Sequence, residues 1–319
     1  MERNGYAKDG NQESKAKPLL VMKFGGTSVG GSKPIKRVAS LVEKYTREGN
    51  SLVVVVSAIR GVTNSLVEMG NFIKQNRRLD LELSLEDIFY RHLEVASNLN
   101  LPHPLRASLD DKIEELFFGL HSLALNLKET PPKSLDRILS YGERLNVPIV
   151  QAALSARGVF AEALDASKII ETDTNFGFAS PNMERTEQHV KNIVEPMIEM
   201  GMIPVVTGFI GSTMYGDITT LGRGGSDYTA SILGRVLGAD EVWIWTDVDG
   251  VYSDDPRKNP NAQLLTELSQ IKAHQMAMAG ARVLYPKTVE PLIGTQTVLR
   301  VKNTFDPESP GTKIYIKQG

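Results

Sequence analysis

Three glycines crowd around one arginine, one serine and one aspartate in LGRGGSDYTA, residues 221–230. A glycine-rich turn that opens a helix presents backbone N–H groups to an anion. Asp227 inside that turn would repel a phosphate, so the loop is not explained as a plain phosphate cradle. A second glycine turn lies in VMKFGGTSVGG, 21–31, where an apolar run carries Lys23 near its end. Gly25 and Gly26 then allow close approach of the backbone, at the place where α/β sheets build anion sites. VVVVSAIRGVTN, 53–64, ends a second apolar run in Ser57, with Thr63 shortly after. These hydroxyls suit an oxygen-rich ligand and are equally common as helix caps. TDVDGVYSDDPR, 246–257, has two readings. It is either a set of Asp-rich turns or a nucleotide wall, with Arg257 on a phosphate and Tyr252 offered to a base. SYGERLN places Glu143 beside a glycine. Cations, carboxylates and glycine loops gathered at strand ends suit phosphoryl transfer, where catalysis is mostly positioning and charge stabilisation.

The elements that must position these residues are short apolar, β-branched runs alternating with helical patterns. The runs are LLVMKF from 19, SLVVVVSA from 51, MIPVVTGFI from 202, EVWIWTD from 241 and TVLRVKN from 297. Alternation of this kind predicts a mainly parallel sheet sandwiched by helices, with VVVV buried mid-sheet. Helical periodicity fits 33–48, 84–99, 105–128, 134–156, 184–200, 226–238 and 266–279. In the last of these, Leu268, Ile271, Gln275 and Met278 share one face. Residues 77–130 read as a charge-rich helical insertion or lid. The division expected is a polar flexible tail over 1–17, an N-terminal lobe over 18–213 and a C-terminal lobe over 214–319.

Composition narrows the function classes. Lys+Arg number 36 against 38 Asp+Glu, a formal net charge of -2, without the basic excess of a nucleic-acid binder. With no Cys, disulfides, thiol catalysis and cysteine-ligated zinc are excluded. Five His form neither an HExxH pair nor a close cluster. Neither GxxxxGK[ST] nor GxGxxG occurs, so a Walker loop and a dinucleotide fingerprint are absent. The EF-hand spacing is missing from the acidic segment at 246–257. No signal-peptide h-region and no apolar run of membrane-spanning length occur, which reads as a cytoplasmic protein without a membrane partner.

The same segments resemble the aspartate kinases of the amino-acid kinase family. KFGGTS at 23–28, VSAIRGVTN at 56–64, SYGERL at 140–145, GFIG at 208–211, TTLGRGGSDYTA at 219–230, WTDVDGVYSDDPR at 245–257 and GARVLYPKT at 280–288 are similar to that family's motifs, in its order. The resemblance spans about 19–316. It implies the amino-acid kinase α/β fold, with MgATP and L-aspartate as substrates and 4-phospho-L-aspartate and ADP as products. Lys23 and Asp227 would be catalytic. Ser57, Thr63, Glu143, Phe209, Arg223 and Ser226 would surround aspartate, with Arg223 on its α-carboxylate and Glu143 on its α-ammonium. ATP would meet Lys23, Gly25, Gly26, Thr246, Asp247, Tyr252, Arg257 and Arg282. No side chain is assigned directly to Mg2+, which is expected with the ATP phosphates. A kinase of another acidic amino acid, and a noncatalytic sensor on the same fold, are the alternatives.

Two departures stand out. Tyr285 takes a place where His is common in the family, and Arg282 one where many members have Lys. The chain also stops soon after SPGTKI, 309–314, so the paired ACT regulatory domains usual in the family are not expected in these residues. A homodimer and a monomer both stay open.

Overall fold

The computed structural model describes residues 17–254, 256, 258–280 and 284–317. The first half begins with β1 (Leu19–Phe24), α1 (Ser32–Arg47), β2 (Ser51–Val56), α2 (Val62–Lys74), α3 (Arg78–Ser97) and α4 (His103–Asn126). Next come α5 (Pro132–Leu139), α6 (Tyr141–Ser155), β3 (Ala161–Leu164), β4 (Glu171–Thr172) and α7 (Met183–Glu199). The chain continues through β5 (Ile203–Thr207), β6 (Ile210–Thr213), β7 (Ile218–Thr220), α8 (Gly225–Val236) and β8 (Glu241–Thr246). It closes with β9 (Glu267–Ser269), α9 (Gln270–Met278), α10 (Pro286–Val289), β10 (Val298–Asn303) and β11 (Thr312–Tyr315).

Eight strands form one sheet in the order β3-β5-β2-β1-β8-β10-β11-β9, and β4, β6 and β7 form a small second sheet. All pairings of the large sheet are parallel except β10 with β11. β1 lies between β2 and β8, with Lys23 opposite Val55 on one side and Ile244 on the other. From β1 the connections run first toward β2, β5 and β3 and later to β8 on the opposite flank. The crevice at the carboxyl ends of β1 and β8 is therefore a topological switch point, where open α/β sheets bind ligands.

Side chains alternate across a strand, and the alternation splits the apolar residues into two cores. Leu20, Met22, Phe24, Val54 and Trp245 face a core built with α1, α2 and α6. Val21, Val53, Val55, Val242 and Ile244 face the other, closed by Ala230 and Leu233 of α8 and by Val190 and Val194 of α7. Lys23 has the parity of Val21, so it projects toward α8. Val53 to Val56 are fully buried, as a central strand covered on both faces requires.

Several sequence expectations change. Residues 77–130 do not act as a lid: Leu85 and Ile88 of α3 and Ile113 and Leu120 of α4 are buried in the first core, and no described residue of the pair lines either cavity discussed below. The helix expected over 134–156 divides at Ser140, whose hydroxyl donates back to the Arg137 carbonyl, a local bond that competes with helical pairing. The helix expected over 266–279 starts later, because Glu267–Ser269 pairs with β11 as β9. That re-phases the element. Gln270, Ala273 and Ala277 are buried, whereas Ile271 and Met278 are exposed. The boundary expected at 213 lies in the β6–β7 hairpin, and the large sheet continues through both halves. The tail over 1–16 lies outside the described residues. No helix among the described residues is long and apolar enough to cross a membrane.

Candidate functional site

Lys23, at 8% exposure, is buried at the carboxyl end of β1 and forms an ion pair with Asp227, at 7% exposure, in the first turn of α8. Removing one member of such a pair leaves an uncompensated buried charge. The turn after β1 is packed tightly at Gly26 and less so at Gly25. The Gly25 N–H donates to the Trp245 carbonyl at 3.2 Å. A Cβ on Gly26 would sit 3.1 Å from the Ala58 carbonyl oxygen, and one on Gly25 would sit 3.4 Å from Lys23 Nζ. This turn is thereby wedged between the ends of β2 and β8.

Glu143 reaches the same region from α6. Gly142 makes this possible, since a Cβ there would lie 2.9 Å from Ala58 Cβ. Close approach lets the Ala58 N–H donate to Glu143 Oε1 at 3.1 Å, while Oε2 is buried with no partner. Asn146, one turn further, donates to the Ser57 carbonyl at 2.7 Å. Burial pushes the Glu143 carboxyl up to about 8, opposed by donation from Ala58 and by the positive charge of Lys23.

The sign of the pH effect follows. An unfolded carboxyl titrates near 4.5, so between that value and about 8 the folded protein holds a proton that the unfolded chain has released. The stability contribution is full below about pH 4.5 and is lost as pH rises to about 8. Thermal melts should therefore show wild type losing more Tm than Glu143→Gln over this window. A cationic ligand beside Oε2 should lower that pKa and so diminish the wild-type loss. Parallel curves for the two proteins would overturn the assignment.

The GFIG and LGRGGSD segments interlock. A Cβ on Gly208 would fall 2.5 Å from Ser226 Cβ, and one on Gly225 would fall 2.7 Å from the Phe209 ring. Phe209 adopts φ 71, an uncommon conformation for a bulky residue. Its N–H donates to Thr229 Oγ1 at 3.1 Å and its carbonyl accepts from Leu221 N–H. Strain of this kind persists when surrounding structure over-determines it, and here α8 and the 221–225 loop do so.

These segments enclose a cavity of about 640 Å³, lined by Ser57, Thr63, Glu143, Phe209, Arg223 and Ser226, with Lys23 and Asp227 at one end. A second cavity, of about 1000 Å³, is lined by Gly25, Thr246, Asp247 and Tyr252, again with Lys23 and Asp227. Lys23, Gly26, Asp227 and Tyr285 are common to both. The buried ion pair thus stands where the two spaces meet. The Tyr252 hydroxyl donates to Asp249 Oδ2 at 3.1 Å, and Asp249 Oδ1 accepts from Asn303 at 2.7 Å. With its hydroxyl already engaged, Tyr252 has its ring left to offer. Arg257 and Arg282 lie outside the described residues.

The sequence profile of the amino acid kinase family matches residues 18–303. The chain belongs to this family. The match includes the strands and loops of both cavities. Among curated relatives, the lysine-sensitive aspartokinase 3 of Escherichia coli (strain K12) is 33% identical over 299 residues, covering 94% of this chain and 64% of its own length. An aspartokinase of Chlamydia pneumoniae is 35% identical over 300 residues, covering 93% and 62%. The chain therefore spans less than two thirds of the length of these relatives. A crystal structure of E. coli aspartokinase III in complex with aspartate and ADP superposes with a TM-score of 0.86 at 32% identity, covering 94% of this chain and 65% of that one. Carbamate kinase from Giardia lamblia, bound to AMP-PNP, shares the fold at 12% identity, with a TM-score of 0.57 over 95% of this chain and 99% of that one.

Within this member of the amino acid kinase family, sequence reading missed several residues that the fold brings to the site. Asn146 holds the Ser57 backbone from α6. Asp136 and Thr220 line the smaller cavity and bond to each other. Tyr285, read only as a family departure, lies in both cavities and packs on Gly224, where a Cβ would come within 2.7 Å of the ring. Only Asn146 left a sequence signal, one helical turn after Gly142. No His lines either cavity among the described residues. His92 is buried in α3, hydrogen-bonded through Nδ1 to the Ile88 carbonyl at 2.6 Å, and burial lowers its pKa to about 4.

Proposed function

We propose that the chain is the catalytic region of an aspartate kinase. It would transfer the γ-phosphoryl group of MgATP to the side-chain carboxylate of L-aspartate. The observation that carries this reading is the junction of two cavities at the buried Lys23–Asp227 pair, with a partnerless buried carboxylate oxygen of Glu143 in the smaller one. That oxygen suits an ammonium ligand. Arg223, exposed at the same cavity, suits the α-carboxylate because its planar fork grips both oxygens. An amino acid held at those two points would have its side-chain carboxylate free to meet Lys23, which lines the same cavity. The E. coli relative whose complex contains aspartate and ADP supports the same pair of ligands.

The larger cavity would take the nucleotide, with Thr246, Asp247 and Tyr252 as walls. Mg2+ typically binds through substrate phosphates and one or two carboxylates while keeping several waters. Among the described residues no group of three or more His, Cys, Asp or Glu is placed to hold a metal ion. Asp247 and Asp254 are exposed carboxylates of that cavity, Asp254 accepting from Asn259, whereas Asp227 is paired with Lys23. Bound Mg2+ would neutralise phosphate charge.

The acceptor carboxylate has an ordinary pKa of about 4, so it is already a nucleophile at neutral pH and needs no general base. Its oxygen forms a bond to the γ-phosphorus as the bond to the ADP oxygen breaks, giving 4-phospho-L-aspartate and ADP. Lys23 lies between two anions that must approach. Its preorganised charge would stabilise the negative charge spread over the transferring group. Asp227 keeps that ammonium aimed at the junction.

Trapping the acyl phosphate with hydroxylamine tests the proposal. ATP-dependent aspartyl hydroxamate is expected from the purified chain. Absence of product would overturn catalysis, and a strong preference for glutamate at equal concentration would overturn the acceptor.

A further inference from the structure

Asp136, near the end of α5, has 1% exposure yet lines the smaller cavity. Its Oδ2 accepts from Gly177 N–H and Thr220 N–H, both at 2.8 Å, and its Oδ1 accepts from the Thr220 hydroxyl at 2.8 Å. The donors come from two separate segments. Gly177, at φ +90, belongs to a turn over residues 173–180, in which Asp173 Oδ1 accepts from Asn175 N–H and Ser180 N–H. This turn carries Phe178, 63% exposed, against Gly222, where a Cβ would lie 2.8 Å from the ring. Thr220 ends β7 and leads directly into Leu221–Gly225, the loop that presents Arg223. The Ala179 N–H donates to the Thr220 carbonyl at 2.9 Å, so the two segments already touch beside the carboxylate.

We propose that Asp136 is a positioning residue of the acceptor cavity: it staples the Gly177–Phe178 turn to the end of β7, and so fixes the aromatic wall and the Arg223 loop relative to one another. This deepens the acceptor reading above and rests on it. The staple acts through hydrogen bonds and does not use its charge. One oxygen collects two N–H donors and the other meets a hydroxyl, which can reverse its own donor and acceptor role. Asparagine fits the same pattern, its carbonyl oxygen accepting both N–H groups and its amide donating to Thr220 Oγ1. Alanine leaves two backbone donors without a partner in a place water reaches poorly.

Asp136 bonds to Gly177 and Thr220 and not to Lys23, where the phosphoryl group would be transferred, so the signature is in acceptor affinity. Asp136→Ala is expected to raise KM for aspartate at least ~10-fold, the scale of leaving a buried backbone donor unsatisfied, with kcat within ~3-fold of wild type. Asp136→Asn should keep both constants within ~3-fold. Thr220→Val, which removes one donor and keeps the backbone, should raise KM modestly and provides a readout if the alanine variant does not fold. Amide exchange in the peptides covering 173–180 and 220–225 should accelerate together in Asp136→Ala and stay near wild type in Asp136→Asn. That measurement needs no substrate. A wild-type protein inactive on aspartate defeats the functional reading, whereas coupled exchange without activity leaves the staple standing. The proposal is overturned by unchanged KM in both Asp136→Ala and Thr220→Val, by a fall in kcat with KM preserved, or by an asparagine variant as impaired as alanine.

Discussion

Lys23→Ala is expected to lower turnover at least ~100-fold, the scale for removing one preorganised charge-stabilising donor, or about 2.7 kcal/mol of barrier. Aspartate binding should change far less, because under the proposed function the ammonium and α-carboxylate contacts would sit at Glu143 and Arg223. The physical reason is placement. Lys23 is the one cation that lines both cavities among the described residues, so its charge acts where the two anions must meet. The substitution has a second effect that must be separated from catalysis. It leaves Asp227 buried without its counter-ion, and breaking a buried pair in this way typically costs about 3–5 kcal/mol of stability. A Lys23→Ala/Asp227→Ala protein removes the orphaned charge and should melt above the single variant without regaining turnover. Single-turnover rates with calorimetric aspartate binding, alongside melts of both variants, provide the check. Turnover at the wild-type level in folded Lys23→Ala would remove Lys23 from the mechanism.

Arg223→Ala should do the opposite: KM for aspartate rises ~100-fold while kcat stays within a few-fold. A bidentate guanidinium–carboxylate contact supplies two charge-assisted hydrogen bonds, each worth about 1.5–3 kcal/mol. It holds the ground state and the transition state alike, so its loss appears in KM. Stability should hardly change. Arg223 is exposed and forms no ion pair with another described residue, and surface substitutions of that kind usually lie within about 0.5 kcal/mol. Arg223→Lys keeps the charge but loses the fork, so it should fall between the two, near ~10-fold. Steady-state kinetics varying each substrate discriminate the roles. If KM for ATP rises and KM for aspartate does not, Arg223 serves the phosphates and the acceptor assignment is wrong.

Legibility in the sequence followed the range over which each signal acts. LLVMKF appears residue for residue as β1, and SLVVVV as β2, because a buried parallel strand reads as a continuous apolar run. The helix expected over 33–48 is α1 at 32–47, ended by Gly49 at φ +91. Strands of two to four residues, such as β3, β4 and β6, are too short to show a period. α2, which follows directly on Gly61 at φ +89, is absent from the helical stretches expected from periodicity. α9 shows how a small error propagates. Three residues taken into β9 by pairing with β11 changed which face was buried.

The sequence by itself determined the fold class, the glycine turns and the small set of charged residues around them. Those features are local: a run of β-branched residues, a glycine that must come within van der Waals contact of a neighbouring backbone, a cation at a strand end. Tertiary structure alone decided that Lys23 and Asp227, far apart in the chain, form one buried pair between two cavities. It also left Glu143 Oε2 without a partner and made Asp136 the junction of two distant loops. No period or motif encodes those relations, because burial and hydrogen-bond completion depend on which segments the sheet order brings together. The aspartate in LGRGGSDYTA, which would repel a phosphate in an isolated loop, is in the folded chain the counter-ion of the lysine that β1 delivers to it.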